Sequence, residues 1–223
     1  MNNLTLVIPA KNEKLSLPQV LNELKKFNIK SIIVVHPSDE ETIKATKIFQ
    51  DCEIILQDGK GYGDALIKGI NSVNTELFSI FNADGSFNPN EIEEMLKKIS
   101  KDELDILFAS RYEKNGGSDD DTFLTLIGNK IFTLLGKLFF KLKITDILYT
   151  FVIGNTKKVK ELNLESKDFG FCVELPIKAI RNNLKISSIA SMERKRIAGK
   201  KNVNEFKDGF LILFKMLILF FKK

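Results

Sequence analysis

Two stretches of the chain carry groups that could act on a charged substrate. Asn82-Ala83-Asp84 places a carboxylate two residues after an amide. Hard oxygens of this kind can hold a divalent cation against a diphosphate, because Mg²⁺ commonly binds through one or two carboxylates plus substrate phosphates. A cation so placed neutralises charge on a leaving nucleotide diphosphate. Asp84-Gly85-Ser86 equally suits a capping turn. The run Glu193-Arg194-Lys195-Arg196-Ile197-Ala198-Gly199-Lys200-Lys201 is either a set of guanidinium groups able to clamp phosphate oxygens or a solvated basic surface. In Ile8-Pro9-Ala10-Lys11-Asn12-Glu13, Asn12 and Glu13 could hydrogen-bond a nucleotide base or ribose; the alternative is an ordinary polar turn. Gly59-Lys60-Gly61-Tyr62-Gly63 permits close backbone approach to a phosphate at a helix N-terminus. It comes after the third strand and lacks a Lys-Ser/Thr ending, so it meets neither the dinucleotide fingerprint nor the P-loop. His36 is the single histidine, so Ser-His-Asp or Cys-His chemistry could only run through it, and Pro37 beside it marks a turn.

These groups gain meaning from the elements that carry them. Residues 4–8 read as a buried strand ended by Pro9, and then a helix with Ser16 as cap and Pro18 in its first turn. Strands over 31–35, 53–56, 77–81 and 105–109 alternate with helices over 38–49, from the glycine cluster through Ile70, and from Pro89 through Ile99. This alternation predicts an α/β fold with a mainly parallel sheet flanked by helices, its ligands beyond the carboxyl ends of the strands. After Tyr112 the sequence predicts a polar loop over 113–121 and a long apolar helix over 122–142, with Lys130, Lys137 and Lys141 on one face. Further on it predicts a strand over 147–153, a helix over 169–181, a strand over 186–192 and a final apolar helix over 203–223.

With 223 residues, one large domain over 1–200 and an appended amphipathic helix over 201–223 are expected. A hydrophobic share of 43% excludes disorder and a polytopic membrane protein. The excess of 34 basic over 29 acidic residues mildly favours an anionic partner. Without Trp, and with no aromatics interleaved in the basic run, nucleic acid is not expected. Cys52 and Cys172 suit reduced, buried thiols, and Met1-Asn2-Asn3-Leu4-Thr5 lacks a basic leader, so a cytoplasmic setting is expected. Residues 211–221 are apolar except for Lys215 and too short to cross a bilayer, but could lie in its interface. Asn204, Lys207, Asp208, Lys215 and Lys222 would form the polar side of that helix, and a core-closing helix is the alternative.

Taken in order, these pieces resemble the family 2 glycosyltransferases, in particular the dolichyl-phosphate mannose and polyprenyl-phosphate glucose synthases. Val7-Ile8-Pro9-Ala10-Lys11-Asn12-Glu13 looks like the opening nucleotide-binding motif, and Gly61-Tyr62-Gly63-Asp64-Ala65 like the glycine-rich helix start. Asn82-Ala83-Asp84-Gly85 falls on the Asp-x-Asp metal motif, and Ala109-Ser110-Arg111-Tyr112 on the Ser-Arg-Tyr/Phe after strand five. Thr145-Asp146, Phe169-Gly170-Phe171 with Glu174, and Arg196 to Lys201 match the later segments.

The resemblance implies a GT-A fold with a UDP- or GDP-sugar donor over Pro9, Ala10, Asn12 and Glu13, joined by His36, Lys60, Gly61 and Ala83. It implies Mg²⁺ or Mn²⁺ at Asp84 with Asn82 and Ser86. Arg111 and Arg196 would face an acceptor phosphate, with Glu174 and Lys201 as further substrate contacts. The implied reaction is an inverting transfer to a polyprenyl phosphate by an enzyme peripheral to the membrane. A soluble acceptor would need a base, for which Glu174 is the candidate; a nucleotide-sugar binder without turnover is the other alternative. The chain departs from the family pattern where His36-Pro37-Ser38-Asp39 replaces Asp-Asp-Gly-Ser, where Asn82 replaces the first metal-motif Asp, and where Tyr149-Thr150-Phe151-Val152 replaces Ser-Gly-Phe-Arg.

Overall fold

The computed structural model describes residues 3–199 and 204–222. Its centre is a seven-stranded sheet. β1 (Leu4–Ala10), β2 (Lys30–Val35), β3 (Cys52–Leu56) and β4 (Leu77–Ile80) run parallel, and β5 (Ile106–Ser110) pairs in parallel with β8 (Ile186–Ala190). β7 (Val152–Asn155) lies antiparallel between β4 and β5, giving the order β3-β2-β1-β4-β7-β5-β8. The central strands are near-continuous apolar runs because both of their faces are covered. Leu6 and Ile8 pack with Leu17, Leu21, Ile92 and Met95 of α1 (Leu17–Leu24) and α4 (Glu91–Lys101). Val7 faces the opposite cluster with Leu66 and Ile70 of α3 (Tyr62–Ser72) and Val173 of α7 (Phe171–Arg181).

The first five strands lie where the hydrophobic runs put them. α2 (Glu40–Thr46) is shorter than expected, because Asp39 caps it by accepting Thr42 N–H at 3.2 Å. Ser16 occupies the α1 cap position, yet its hydroxyl bonds the Glu13 carboxylate and caps nothing. The strand expected over 147–153 begins only at Val152: Asp146 is buried beside Arg111, and Phe151 stacks on Phe87 as core filling. The loop after Tyr112 contains β6 (Gly117–Ser118), which pairs with β9 (Met192–Glu193). A short α6 (Thr156–Glu161) was not anticipated; Asn155 caps it by accepting Lys158 N–H at 3.0 Å. Cys172 is buried as expected, whereas Cys52 is only partly so.

α5 (Phe123–Phe140) and α8 (Glu205–Phe221) lie against one side of the domain. α5 is seated through Asn129, Thr133 and Gly136, where Asn129 donates to Asp146 and Ile147 N–H donates to Thr133 at 3.2 Å. Among the described residues it is the one helix long and apolar enough to cross a membrane, with 18 residues and mean hydropathy 1.4. Its polar seat holds it along the domain. Lys141 leaves the expected lysine face because it ends the helix in the left-handed region at φ 58°.

α8 turns Lys215 of its expected polar side toward the domain, beside the buried Ile212, Met216 and Leu219, and leaves Lys207 and Lys222 exposed. Lys215 points inward to Glu174 at 3.1 Å, and Lys178 reaches the same fully buried carboxylate at 2.9 Å. Phe206, Phe210, Leu213, Phe214, Leu217 and Phe221 face outward, Phe210 with 68% exposure. Arg181 closes the helix end by donating to the carbonyls of Leu219 and Lys222.

Burial alone would raise the Glu174 carboxyl, but Lys178, the Ser166 hydrogen bonds and Lys215 outweigh it and bring it down to about 2. A depressed carboxylate contributes stability above its unfolded value of 4.5 and loses it as pH falls through the folded value. Glu174→Gln is therefore expected to flatten the acid limb of a stability–pH profile between pH 4.5 and about 2, measured by urea unfolding. An unchanged acid limb would count against this latch.

Candidate active site

The carboxyl ends of β1, β2 and β4 open into a cavity of about 480 Å³. The turn after β1 contributes Pro9, Ala10, Lys11 and Glu13, β2 contributes His36, and β3 contributes Gln57. Asn82, Ala83, Asp84 and Ser86 come after β4, and Arg111 and Arg196 join them in the wall. The cavity then continues between α5 and α8, past Leu124, Phe132, Leu148, Phe169, Phe206 and Ile212. One end is thus polar and charged, the other apolar.

The loop after β4 is both a turn and a ligand set. Asp84 Oδ1 accepts Ser86 N–H at 2.9 Å, while Oδ2 lies 3.6 Å from the Arg196 guanidinium. Asn82 donates to Ser86 Oγ at 3.3 Å and accepts from the Tyr62 hydroxyl at 3.4 Å; that hydroxyl also pairs with Thr150 at 2.7 Å. Gly85, at φ 83°, lets Ile197 close over the turn, and Ile197 N–H donates to Asp84 O at 2.8 Å. Arg194 fastens the same loop by donating to the carbonyls of Gly85 at 3.1 Å and Phe87 at 2.8 Å. Among the described residues no three acidic, histidine or cysteine side chains form a metal cage. The hard oxygens of Asp84, Asn82 and Ser86 fit Mg²⁺ or Mn²⁺ completed by substrate phosphates, and do not suit a soft metal.

Arg196 also binds Asp120 at 2.8 Å. Burial opposes its charge, but Asp120, Asp84 and Glu13 outweigh burial and hold the guanidinium above its ordinary value. Burial raises the Glu13 carboxyl; Ser16 opposes this, and Asp84 adds to it.

Several expected contacts fall elsewhere. Asn12, at φ 60°, is not in the cavity wall; its N–H donates to Asp39 at 2.6 Å, so it shapes the turn. Lys60 is exposed and also lies outside the wall. Gly61 borders the cavity, but the close approach that Gly61 and Gly63 permit is taken by protein: a Cβ there would meet Lys167 O at 2.2 Å and Ser166 O at 2.1 Å. Arg111 borders the cavity without a guanidinium free for an acceptor phosphate. It binds Asp146 at 2.8 Å, Asp121 at 3.0 Å and Glu193 at 3.1 Å, beneath the Tyr149 ring. Three carboxylates around one cation leave that corner unfavourable to an anion. Glu174 is buried away from the cavity between two lysines, so it is not a base for a hydroxyl acceptor. Lys201 lies outside the described residues. Gln57, Tyr149 and Thr150 join the wall without having been expected there. Gln57 carries a legible signal, since it stands directly after β3, the same strand-end position that marks the residues after β1, β2 and β4.

A mainly parallel sheet with one reversed strand and a carboxylate-bearing turn over its carboxyl edge defines the GT-A class of nucleotide-sugar enzymes. The family model for glycosyl transferase family 2 matches residues 5–162, and the chain belongs to that family; it is a glycosyltransferase. An uncharacterised protein of Methanocaldococcus jannaschii is 26% identical over 224 residues, covering 96% of this chain and 90% of its own. The UDP-N-acetylglucosamine–dolichyl-phosphate N-acetylglucosaminyltransferase of Methanococcus voltae is 24% identical, covering 96% and 94%. Glucosyl-3-phosphoglycerate synthase from Mycobacterium tuberculosis, solved with Mn²⁺, UDP and phosphoglyceric acid, shares the fold with a TM-score of 0.78 at 12% identity, covering 99% of this chain and 79% of that one.

Proposed function

We propose that this glycosyltransferase moves a sugar from a nucleoside-diphosphate sugar to a polyprenyl phosphate, working as a peripheral enzyme at the cytoplasmic face of a membrane. The observation that carries the reading is the continuity of the cavity from Asp84 and Arg196 into the apolar passage between α5 and α8. A lipid phosphate has the same two ends. The outward apolar faces of both helices support a membrane setting, since contiguous exposed apolar surface marks interaction sites. The name of the Methanococcus voltae relative, which specifies dolichyl phosphate, supports the acceptor class. The Mycobacterium tuberculosis neighbour was solved with phosphoglyceric acid, which makes a soluble phosphate acceptor the second reading. The apolar walls favour the lipid.

Asp84, with Asn82 and Ser86 beside it, would hold Mg²⁺ or Mn²⁺, which supplies charge neutralisation to the departing diphosphate. An acceptor phosphate oxygen attacks the anomeric carbon from the face opposite the diphosphate, the bond to the diphosphate oxygen breaks, and the configuration inverts. That oxygen is already anionic, so no general base is required and positioning with charge neutralisation dominates. Arg196 sits beside Asp84 to orient phosphate oxygens, and Ala83 and Pro9 line the floor.

The test supplies labelled donor with polyprenyl phosphate or with soluble phosphate and glycan acceptors, and counts label in the organic extract. Label in the extract is expected, and transfer to soluble acceptors alone would refute the lipid reading. Phe210→Glu with Phe214→Glu is expected to cut lipid-directed transfer on vesicles at least about 10-fold, given ~1.5–3 kcal/mol for each large apolar side chain buried. The melting temperature should hold, because both rings are exposed.

A further inference from the structure

We propose that His36 and Gln57 read the base of the donor and select uracil, so that the donor is a uridine-diphosphate sugar; this rests on the transferase reading. The two residues stand at adjacent strand ends. Val35 of β2 lies opposite Leu56 of β3, and Gln57 N–H donates to Val35 O at 2.9 Å, so His36 and Gln57 continue that register side by side. Neighbouring strands are about 4.8 Å apart, which lets both side chains reach one base edge. Both line the cavity, and so does Lys11.

Each residue offers one polar atom of fixed character. Ser38 N–H donates to His36 Nδ1 at 3.2 Å, which makes that nitrogen an acceptor, and the Ser38 hydroxyl meets it at 2.7 Å. The ring proton therefore sits on Nε2, which is a donor. The Gln57 amide nitrogen spends both hydrogens, on Gly61 O at 2.8 Å and on Asp64 Oδ2 at 3.0 Å. Its Oε1 is left as an acceptor on a side chain only 8% exposed.

A donor beside an acceptor discriminates among bases. With His36 facing the exocyclic atom and Gln57 the ring nitrogen, adenine and cytosine present an amine and a ring-nitrogen acceptor in the reverse order and are refused. Uracil O4 with N3–H fits, and so does guanine O6 with N1–H. The third edge position separates those two, because uracil O2 needs a donor and the guanine amine needs an acceptor. Lys11 can only donate. Asp58, beside Gln57 in sequence, is paired with Lys68 at 2.6 Å, and Asp39 already accepts Asn12 N–H at 2.6 Å and Thr42 N–H at 3.2 Å. Glu13, whose strongest charged neighbours are Asp84 and Arg196, belongs to the ribose and diphosphate side.

Calorimetric titration of the full chain with UDP, GDP, ADP, CDP and N3-methyl-UDP, in Mg²⁺ or Mn²⁺ buffer, tests the assignment without relying on a variant that could misfold. UDP is expected to bind tightest. N3-methyl-UDP and GDP are expected to bind about 10-fold or more weakly, the scale of leaving a buried polar partner unsatisfied. His36→Phe, which keeps the ring and removes the donor, should weaken UDP about 5-fold or more on the same scale with no change in melting temperature. GDP at parity with UDP would overturn the uracil assignment. UDP preferred over GDP but with N3-methyl-UDP at parity, or an unaffected His36→Phe, would overturn the role of this residue pair alone. Failure of every nucleotide to bind would overturn the transferase reading as well.

Discussion

Asp84→Asn is expected to reduce sugar transfer by about 10²–10³-fold, the scale seen when one preorganised group that stabilises transition-state charge is removed. The substitution keeps the shape of the turn, because an amide oxygen can still accept Ser86 N–H as Asp84 Oδ1 does at 2.9 Å. It removes the single carboxylate of the ligand set, which Asn82 and Ser86 cannot replace with charge. It also removes the ion partner that faces Arg196 at 3.6 Å. Melting temperature and secondary structure should therefore be close to those of the parent, while Mn²⁺ binding, measured by paramagnetic resonance with UDP present, should weaken in step with transfer. Retained transfer within about 10-fold, a loss of ~1.4 kcal/mol or less, would remove Asp84 from the chemistry.

Arg111→Met is expected to act on stability first. The guanidinium binds Asp146, Asp121 and Glu193, and Asp146 is fully buried. Burial opposes the charge of Arg111, but its three carboxylate partners outweigh burial and hold it firmly protonated. Burial in turn raises the Glu193 carboxyl, although Arg111 and Ser118 pull the other way. Removing the cation leaves buried carboxylates uncompensated, at a cost of about 3–5 kcal/mol. For a chain of this size that corresponds to a fall of roughly 10 °C in melting temperature, at ~2–4 °C per kcal/mol. Arg111→Met with Asp146→Asn in the same chain should recover part of the loss, because the two groups are coupled. A melting temperature unchanged within about 2 °C, an effect below ~1 kcal/mol, would mean that Arg111 is free for substrate after all.

The sheet was legible because its central strands are buried on both faces, so their apolar runs stand out, and a polar motif comes directly after each of them. Pro9, His36 and Asp84 could be placed at one edge for that reason alone. Arg111 could not be assigned its partners, since Asp121, Asp146 and Glu193 lie 10, 35 and 82 residues away. The late start of β7 was hidden because Tyr149 and Phe151 are as apolar as strand residues but serve as cavity wall and core filling. The inward turn of Lys215 was hidden too. A helical wheel shows which residues share a side, but not whether that side faces water, and the deciding partner, Glu174, lies on a different helix.

The walls of the cavity are drawn from nearly the whole chain, from Pro9 in the first turn to Ile212 in the last helix. β7 must also thread between β4 and β5 before the sheet closes. During synthesis, β1, β2 and β3 can pair soon after they emerge, because Val7 lies opposite Ile32 and Ile33 opposite Ile54, whereas β4 joins β1 across a longer span, with Val7 opposite Ile80. The reaction vessel itself is completed only when the final helix arrives. The parallel strands β1 to β4 can therefore form before the site is enclosed, and enclosure waits for α8.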